Sequence, residues 1–123
     1  MLEALRKVAL LDFVMEQGGL DMELQEQGNN LSGGQKQRLS IARALLAQRD
    51  VYIFDEAASN IDAESEDAIV SVIYKLAETK MVIMITHRLK SIKGCDQIYV
   101  IDQGTCQEHG RHEELLRLRG TYA

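Results

Sequence analysis

The sequence predicts an α/β fold built on a parallel sheet, and three observations support that prediction. Two short apolar runs, residues 51–54 and 81–85, lack the alternation of half-buried strands, which is typical of parallel strands covered by helices on both faces. Residues 63–78 lie between them and carry apolar side chains at helical spacing. Each run ends in polar residues, so we expect both strands to deliver functional side chains to one edge of the sheet.

Length and charge restrict the class of protein. The chain has 123 residues, 46% of them hydrophobic and 27% charged, which suits one ordinary globular core or part of one. A formal net charge of -5 argues against a nucleic-acid partner bound through bulk positive charge. The apolar runs are far shorter than the roughly 20 residues that span a bilayer. The two cysteines fit neither a disulfide framework nor a metal cluster, so a reducing cytoplasm is expected.

The first half of the chain is predicted to be mainly helical. Residues 2–16 are predicted to form one amphipathic helix ended by a pair of glycines, and the polar residues 21–30 a surface loop. A second helix is predicted from Ser32 to near Gln48. The polar side chains of this helix that are predicted to face outward are Lys36, Gln37 and Arg43.

After the second apolar strand, three shorter elements are predicted. Residues 88–93 can form a short helix closed by a glycine, residues 97–102 and 105–109 read as a hairpin, and a last helix begins near residue 110.

Residues Leu31-Ser32-Gly33-Gly34-Gln35 place a hydroxyl and two glycines directly before a helical, basic run. Ser32 can cap the helix, and the glycines let the backbone approach a ligand closely. The N–H groups of the first turn and the helix dipole favour a phosphate at that end. A serine cap beside glycines also begins many ordinary helices, so the motif alone leaves both interpretations open.

Acidic residues and a histidine follow the two apolar strands. An aspartate at a strand end, here Asp55, can hold Mg²⁺, and the neighbouring Glu56 can face a water. His87 follows the second strand, whose end should lie beside the first. The alternatives are a solvated acidic turn and a capped or solvated histidine.

Together these motifs resemble those of the ATP-binding cassette (ABC) family, in the family's order. Residues 31–35 match its signature, Asp55 and Glu56 its Walker B motif, 59–62 its D-loop and 86–88 its switch histidine. The resemblance covers nearly the whole chain and corresponds to the second half of a cassette. It implies a partial P-loop NTPase (RecA-like) parallel sheet with part of the ABC helical subdomain. Residues 1–50 would be the helical part and 51–123 the C-terminal part of the nucleotide-binding core.

The resemblance also implies a role for each motif. In this family two cassettes face each other head to tail, and each signature contacts the γ-phosphate of the ATP held by the other. Asp55 would position Mg²⁺, Glu56 would polarise the attacking water, and His87 would hold the γ-phosphate or the glutamate in place. The residues expected to bind ATP or to couple the two sites are Ser32, Gly33, Gly34, Gln35 and Asp62.

The amino-acid sequences of the motifs resemble those of the exporter branch of the family. Glu26 stands where exporters carry a glutamate that touches the membrane-spanning domain, although Gln25 replaces the glycine usual beside it. The function implied is ATP binding and hydrolysis that powers transmembrane export, at the cytoplasmic face of the cell membrane.

The sequence contains no G-x-x-x-x-G-K-[S/T] phosphate loop, so we expect the chain alone to be inactive and to self-associate through open strand edges. One alternative is a non-catalytic interaction module that lends its signature to a partner's ATP site. Another is a chromosome-maintenance or repair cassette, which would carry a coiled-coil insertion near the signature, and no heptad pattern occurs there.

Overall fold

The computed structural model describes residues 1–57 and 63–123, which form two compact units, Met1–Ile85 and Thr86–Ala123. The predicted D-loop, including Asp62, lies outside the described residues. The division into residues 1–50 and 51–123 stays a prediction.

The first unit begins with two short helices, α1 (Leu2–Lys7) and α2 (Leu11–Glu16), so the prediction of a single helix over residues 2–16 is wrong. The chain turns at Ala9, which has a φ of 54°. The Ala9 N–H donates to the Arg6 carbonyl and the Leu10 N–H to the Leu5 carbonyl, the two bonds of a Schellman helix end. This turn places both Val8 and Leu10 in the core, where 0% and 2% of their surfaces are exposed.

A loop with two 3₁₀ turns, Gly19–Asp21 and Glu26–Gly28, connects α2 to α3 (Gly33–Leu46). The Asn30 side chain holds this loop together, because its Oδ1 accepts from the Gln25 N–H at 3.1 Å and its Nδ2 donates to the Glu23 carbonyl at 2.9 Å. The predicted surface loop and the predicted helix after Ser32 are both confirmed.

The sheet of the first unit consists of β1 (Val51–Asp55) and β2 (Met81–Ile85), with α4 (Ala63–Ala77) between them in the chain. The strands pair in parallel, and Asp55 lies opposite Ile85. Their carboxyl ends therefore meet at one edge, as predicted. On the inner face the rings of Tyr52 and Phe54 stack with centroids 6.3 Å apart. The α4 residues of the same core cluster include Ile69 and Ile73.

The outer face of the sheet is apolar and exposed. Burial alternates along β1, so the prediction that these strands are buried on both faces is wrong for this chain. Within the described residues of the first unit, no element covers that face. Its side chains are 46% to 65% exposed, and they are Val51, Ile53, Met81, Ile83 and Ile85.

The second unit contains the predicted hairpin, β3 (Ile98–Asp102) and β4 (Thr105–Gly110), which pair antiparallel. The last helix, α5 (His112–Leu118), follows as predicted, and a 3₁₀ turn at Leu89–Ile92 stands where the short helix was predicted. Among the described residues, none of the helices has both the length and the apolar character needed to cross a membrane.

The C-terminal turn of the second unit is anchored by two side chains. Glu108 accepts hydrogen bonds from the backbone N–H groups of Thr121 and Tyr122, at 2.6 and 3.3 Å. The Tyr122 hydroxyl lies 2.7 Å from His112 Nδ1. Burial raises the pKa of Tyr122, and the neighbouring Cys95 raises it further. Tyr122 thus closes the small core that it forms with Ile98 and Leu115.

The exposed sheet face leads us to expect self-association of this chain. Exposed apolar patches and open strand edges promote association with other chains, and charged side chains on such a surface oppose that association. We expect sedimentation to show dimers or larger species at tens of micromolar. The double substitution of the register partners Ile53→Lys and Ile83→Lys should shift the chain to monomer.

The matched control for this experiment is Leu118→Lys. Leu118 is 66% exposed, as much as Ile53 at 65%, but it lies outside the sheet. The control should not change the association. A wild-type chain that sediments as a monomer, and unfolds cooperatively, would contradict the prediction.

Candidate functional site

The start of α3 forms a complete capping box. Ser32, at φ -67° and ψ 161°, is the N-cap, and its Oγ accepts from the Gln35 N–H at 3.2 Å. The Gln35 Oε1 in turn accepts from the Ser32 N–H at 2.8 Å. The predicted helix cap is therefore confirmed, and these reciprocal bonds hold the signature residues in one defined turn.

Gly33 and Gly34 occupy the first two positions of α3. The N–H groups of a first helical turn have no acceptor within the helix, and they lie at its positive end. A Cβ atom added at Gly33 would meet nothing within 4 Å, so the space beside this glycine is open. The start of a helix 14 residues long favours an anion, and binding of a phosphate by the signature stays a prediction.

The two acids stand at the carboxyl end of β1. Asp55 is the last residue of the strand, and both acids are exposed. Glu56 has a φ of 48°, in the left-handed region. Its N–H donates to the Ile85 carbonyl at 2.9 Å, which continues the β1–β2 ladder by one bond.

One contact between α3 and the acid pair is made by the Gln37 side chain. The Gln37 Nε2 donates to the Glu56 carbonyl at 3.0 Å, and Gln37 is half-buried. The prediction that Gln37 faces outward is therefore wrong, whereas Lys36 and Arg43 are exposed as predicted. The helix that begins with the signature thus contacts the backbone of the acidic pair within one unit.

The geometry allows Asp55 to take part in a magnesium site. Mg²⁺ in nucleotide-binding proteins is held by one or two carboxylates together with phosphate oxygens and water. An exposed carboxylate at a strand end suits that role. In the described part of the chain, no three histidine, cysteine or acidic side chains cluster as a protein-only metal site.

His87 belongs to the second unit and follows β2 by two positions. The Thr86 Oγ1 accepts from the Arg88 N–H at 3.1 Å, so a local turn surrounds the histidine. Its predicted relation to Glu56 stays a prediction.

Glu26 begins the second 3₁₀ turn of the long loop and is exposed. The two residues after it have positive φ values, 57° at Gln27 and 65° at Gly28. The Asn30 side chain, which follows this turn, bonds to Gln25 and Glu23, which precede it. Glu26 is thus presented on a constrained surface loop.

Sequence reasoning missed three supporting side chains of this region. Gln37 and Asn30 are described above, and the third is Arg38, whose Nη1 donates to the Ala9 carbonyl at 3.2 Å and whose Nε donates to the Gly34 carbonyl at 3.4 Å. The asparagine before the signature, a residue that often bonds its own loop backbone, was the one available signal.

Comparisons with known proteins identify similar sequences. A profile of the family described as ABC transporter matches residues 2–59. The chain is 51% identical over 119 residues to an uncharacterized ABC transporter ATP-binding protein of Haemophilus influenzae, covering 97% of this chain and 21% of that protein. It is 46% identical over 123 residues to the ATP-dependent lipid A-core flippase of Pasteurella multocida, covering 99% of this chain and 21% of the flippase.

The fold agrees as well. A bacterial Atm1-family ABC exporter with ATP bound superposes with a TM-score of 0.89 at 40% sequence identity, over 98% of this chain and 21% of the exporter chain. The capped helix α3 and the parallel sheet that ends in two acids are similar to part of that exporter chain. Over nearly its whole length, the chain is similar to members of the ABC transporter family. It spans about a fifth of the length of the curated relatives it matches.

Proposed function

We propose that this chain supplies the signature, Walker B and switch-histidine portion of an exporter-type ATPase that hydrolyses ATP to power transmembrane export. The observation that carries the proposal is the link between α3 and Glu56, because it joins an anion-binding helix end to a strand-end acid pair in one unit. The names of the relatives, an ATP-dependent flippase and an exporter with ATP bound, support ATP-driven transport.

In the proposed assembly, Ser32 and the two glycines contact the γ-phosphate of ATP held by a second nucleotide-binding domain. The open space beside Gly33 at the start of α3 supports this, since the helix dipole and the N–H groups of a first turn stabilise negative charge. Gln35 keeps the turn in shape through the capping box. Asp62 would couple the two sites across the head-to-tail interface, a role that rests on the motif alone.

In the chain's own site, Asp55 would help to hold Mg²⁺, which neutralises charge on the phosphates when it is bound. Glu56 would accept hydrogen bonds from the attacking water and take its proton. Positioning and electrostatic stabilisation supply most of the rate in phosphoryl transfer, so the orientation of this carboxylate matters as much as its presence.

A membrane-spanning domain would be the mechanical partner. Glu26 is the proposed contact, because it is exposed on a loop that the Asn30 side chain constrains and that leads directly into the signature helix. Movement of that loop would reach α3 within a few residues. The ATP site would then lie at the cytoplasmic face of the membrane.

His87→Ala in the complete transporter tests the proposal. A residue that holds the γ-phosphate or the glutamate in the transition state lowers kcat more than it raises KM when it is removed. We expect kcat for ATP to fall by about ten- to a hundredfold, the contribution of a hydrogen bond to a charged group, with little change in KM, measured by phosphate release.

The matched control is His109→Ala, because His109 is an exposed histidine of the hairpin that packs against the Tyr99 ring. The control should keep normal kcat. Equal losses of kcat and affinity in His87→Ala would mean a binding role instead.

A further inference from the structure

The backbone of Glu56 is held from both sides in an unusual conformation. Its φ of 48° lies in the left-handed region, which non-glycine residues adopt only when their surroundings hold them there. The N–H is bonded to the Ile85 carbonyl at 2.9 Å and the C=O to the Gln37 Nε2 at 3.0 Å. The first bond continues the sheet, whereas the second comes from the signature helix.

We propose that Gln37 is a positioning residue, which orients the Glu56 carboxylate and links it to the signature helix. This inference rests on the function proposed above. The direction of a Cα–Cβ bond follows from the peptide planes on either side of the Cα atom. With the N–H anchored to β2, the bond from Gln37 holds the second plane, so the point from which the Glu56 side chain extends toward the site depends on it.

The helix that carries Gln37 can transmit movement. Gln37 lies two residues after Gln35, which closes the capping box, and both belong to the same 14-residue helix. On another side of the helix, Arg38 is bonded to the Ala9 carbonyl at the α1–α2 turn. A shift of the signature toward a phosphate would therefore displace the Gln37 amide, and with it the Glu56 peptide. The signature that serves one ATP site would adjust the water-activating acid of the other.

The test uses the complete transporter with two substitutions at position 37. Gln37→Met keeps the length and helix propensity of the side chain but removes the donor, and Gln37→Glu is isosteric and places an acceptor against the carbonyl. A hydrogen bond of this kind contributes about a three- to tenfold factor. We expect kcat for ATP to fall by that factor in Gln37→Met and further in Gln37→Glu, with KM for ATP unchanged. The matched control, Ser40→Ala on the same helix, should keep wild-type kcat.

A second readout separates positioning from a general loss of structure. In the Glu56→Gln background, Gln37→Met should cause no further fall in turnover, because the carboxylate that Gln37 orients is already absent. Hydrogen exchange of the segment that contains Glu56 should increase in Gln37→Met while exchange in α4 stays unchanged.

Two results would overturn the inference: wild-type kcat in both position-37 variants, or a rise in KM with kcat preserved. A different result would contradict the proposed function. Normal turnover in Glu56→Gln would show that Glu56 is not needed for catalysis, whatever the effect of the position-37 variants.

Discussion

Replacing Glu56 with glutamine in the complete transporter is expected to lower ATP turnover by about 100- to 10,000-fold, the usual contribution of a general base. The amide has nearly the same shape as the carboxylate, so ATP binding should stay close to normal. Because ATP is bound but not consumed, domains joined through nucleotide should accumulate. Phosphate release measures the fall in turnover. The amount of retained ATP and the size of the assembly together measure the accumulation of domains joined through nucleotide.

Glu113→Gln is the matched control, since Glu113 is an exposed glutamate in the first turn of α5. It should turn over ATP normally. Normal turnover in Glu56→Gln itself would show that another group activates the water.

The isolated chain is expected to show no magnesium-dependent ATP hydrolysis above background. Its residues include the signature and the acids but no G-x-x-x-x-G-K-[S/T] loop to hold the β- and γ-phosphates. Holding the reacting groups in place accounts for about 7–11 kcal/mol of a barrier in well-oriented reactions, so acids without that loop should not catalyse.

Phosphate release by the purified chain checks this expectation, with the Glu56→Gln chain prepared in parallel as the blank. Equal rates in the two preparations are expected at every chain concentration. A higher rate in the wild-type chain would show that these residues assemble a working site by themselves.

Local sequence patterns predicted the elements whose causes are local. The helix after Ser32 was predictable because a serine followed three residues later by glutamine is a capping box. The break at Ala9 was not, since a Schellman end usually carries glycine at the left-handed position and here carries alanine. The prediction that the outer face of the sheet is covered was wrong, because it came from the apolar composition of the strands. Composition indicates that a strand favours burial, but it does not indicate which segments are present to cover it.

The site was predictable to the same extent. The signature and the acid pair are short contiguous motifs, so their chemistry can be recognised in the sequence. The bond from Gln37 to Glu56 joins residues 19 positions apart, and it depends on how α3 packs beside the end of β1. An outward-facing position on a helical wheel does not reveal a neighbour supplied by another element.

The polar ends of the sheet have a consequence for how its strands align. Both faces of β1 and β2 are apolar. A shift of the register by one residue would therefore bury one apolar face in place of the other, and burial of apolar side chains hardly distinguishes the shifted register from the observed one. At the start of the strands, Lys80 Nζ lies 3.0 Å from Asp50 Oδ1, and at their ends the Glu56 N–H meets the Ile85 carbonyl. An exposed ion pair adds little stability. Its role here is to specify the strand register. The observed register forms the Lys80–Asp50 ion pair and the Glu56–Ile85 hydrogen bond together, and it places Asp55 opposite Ile85 at the end of β2.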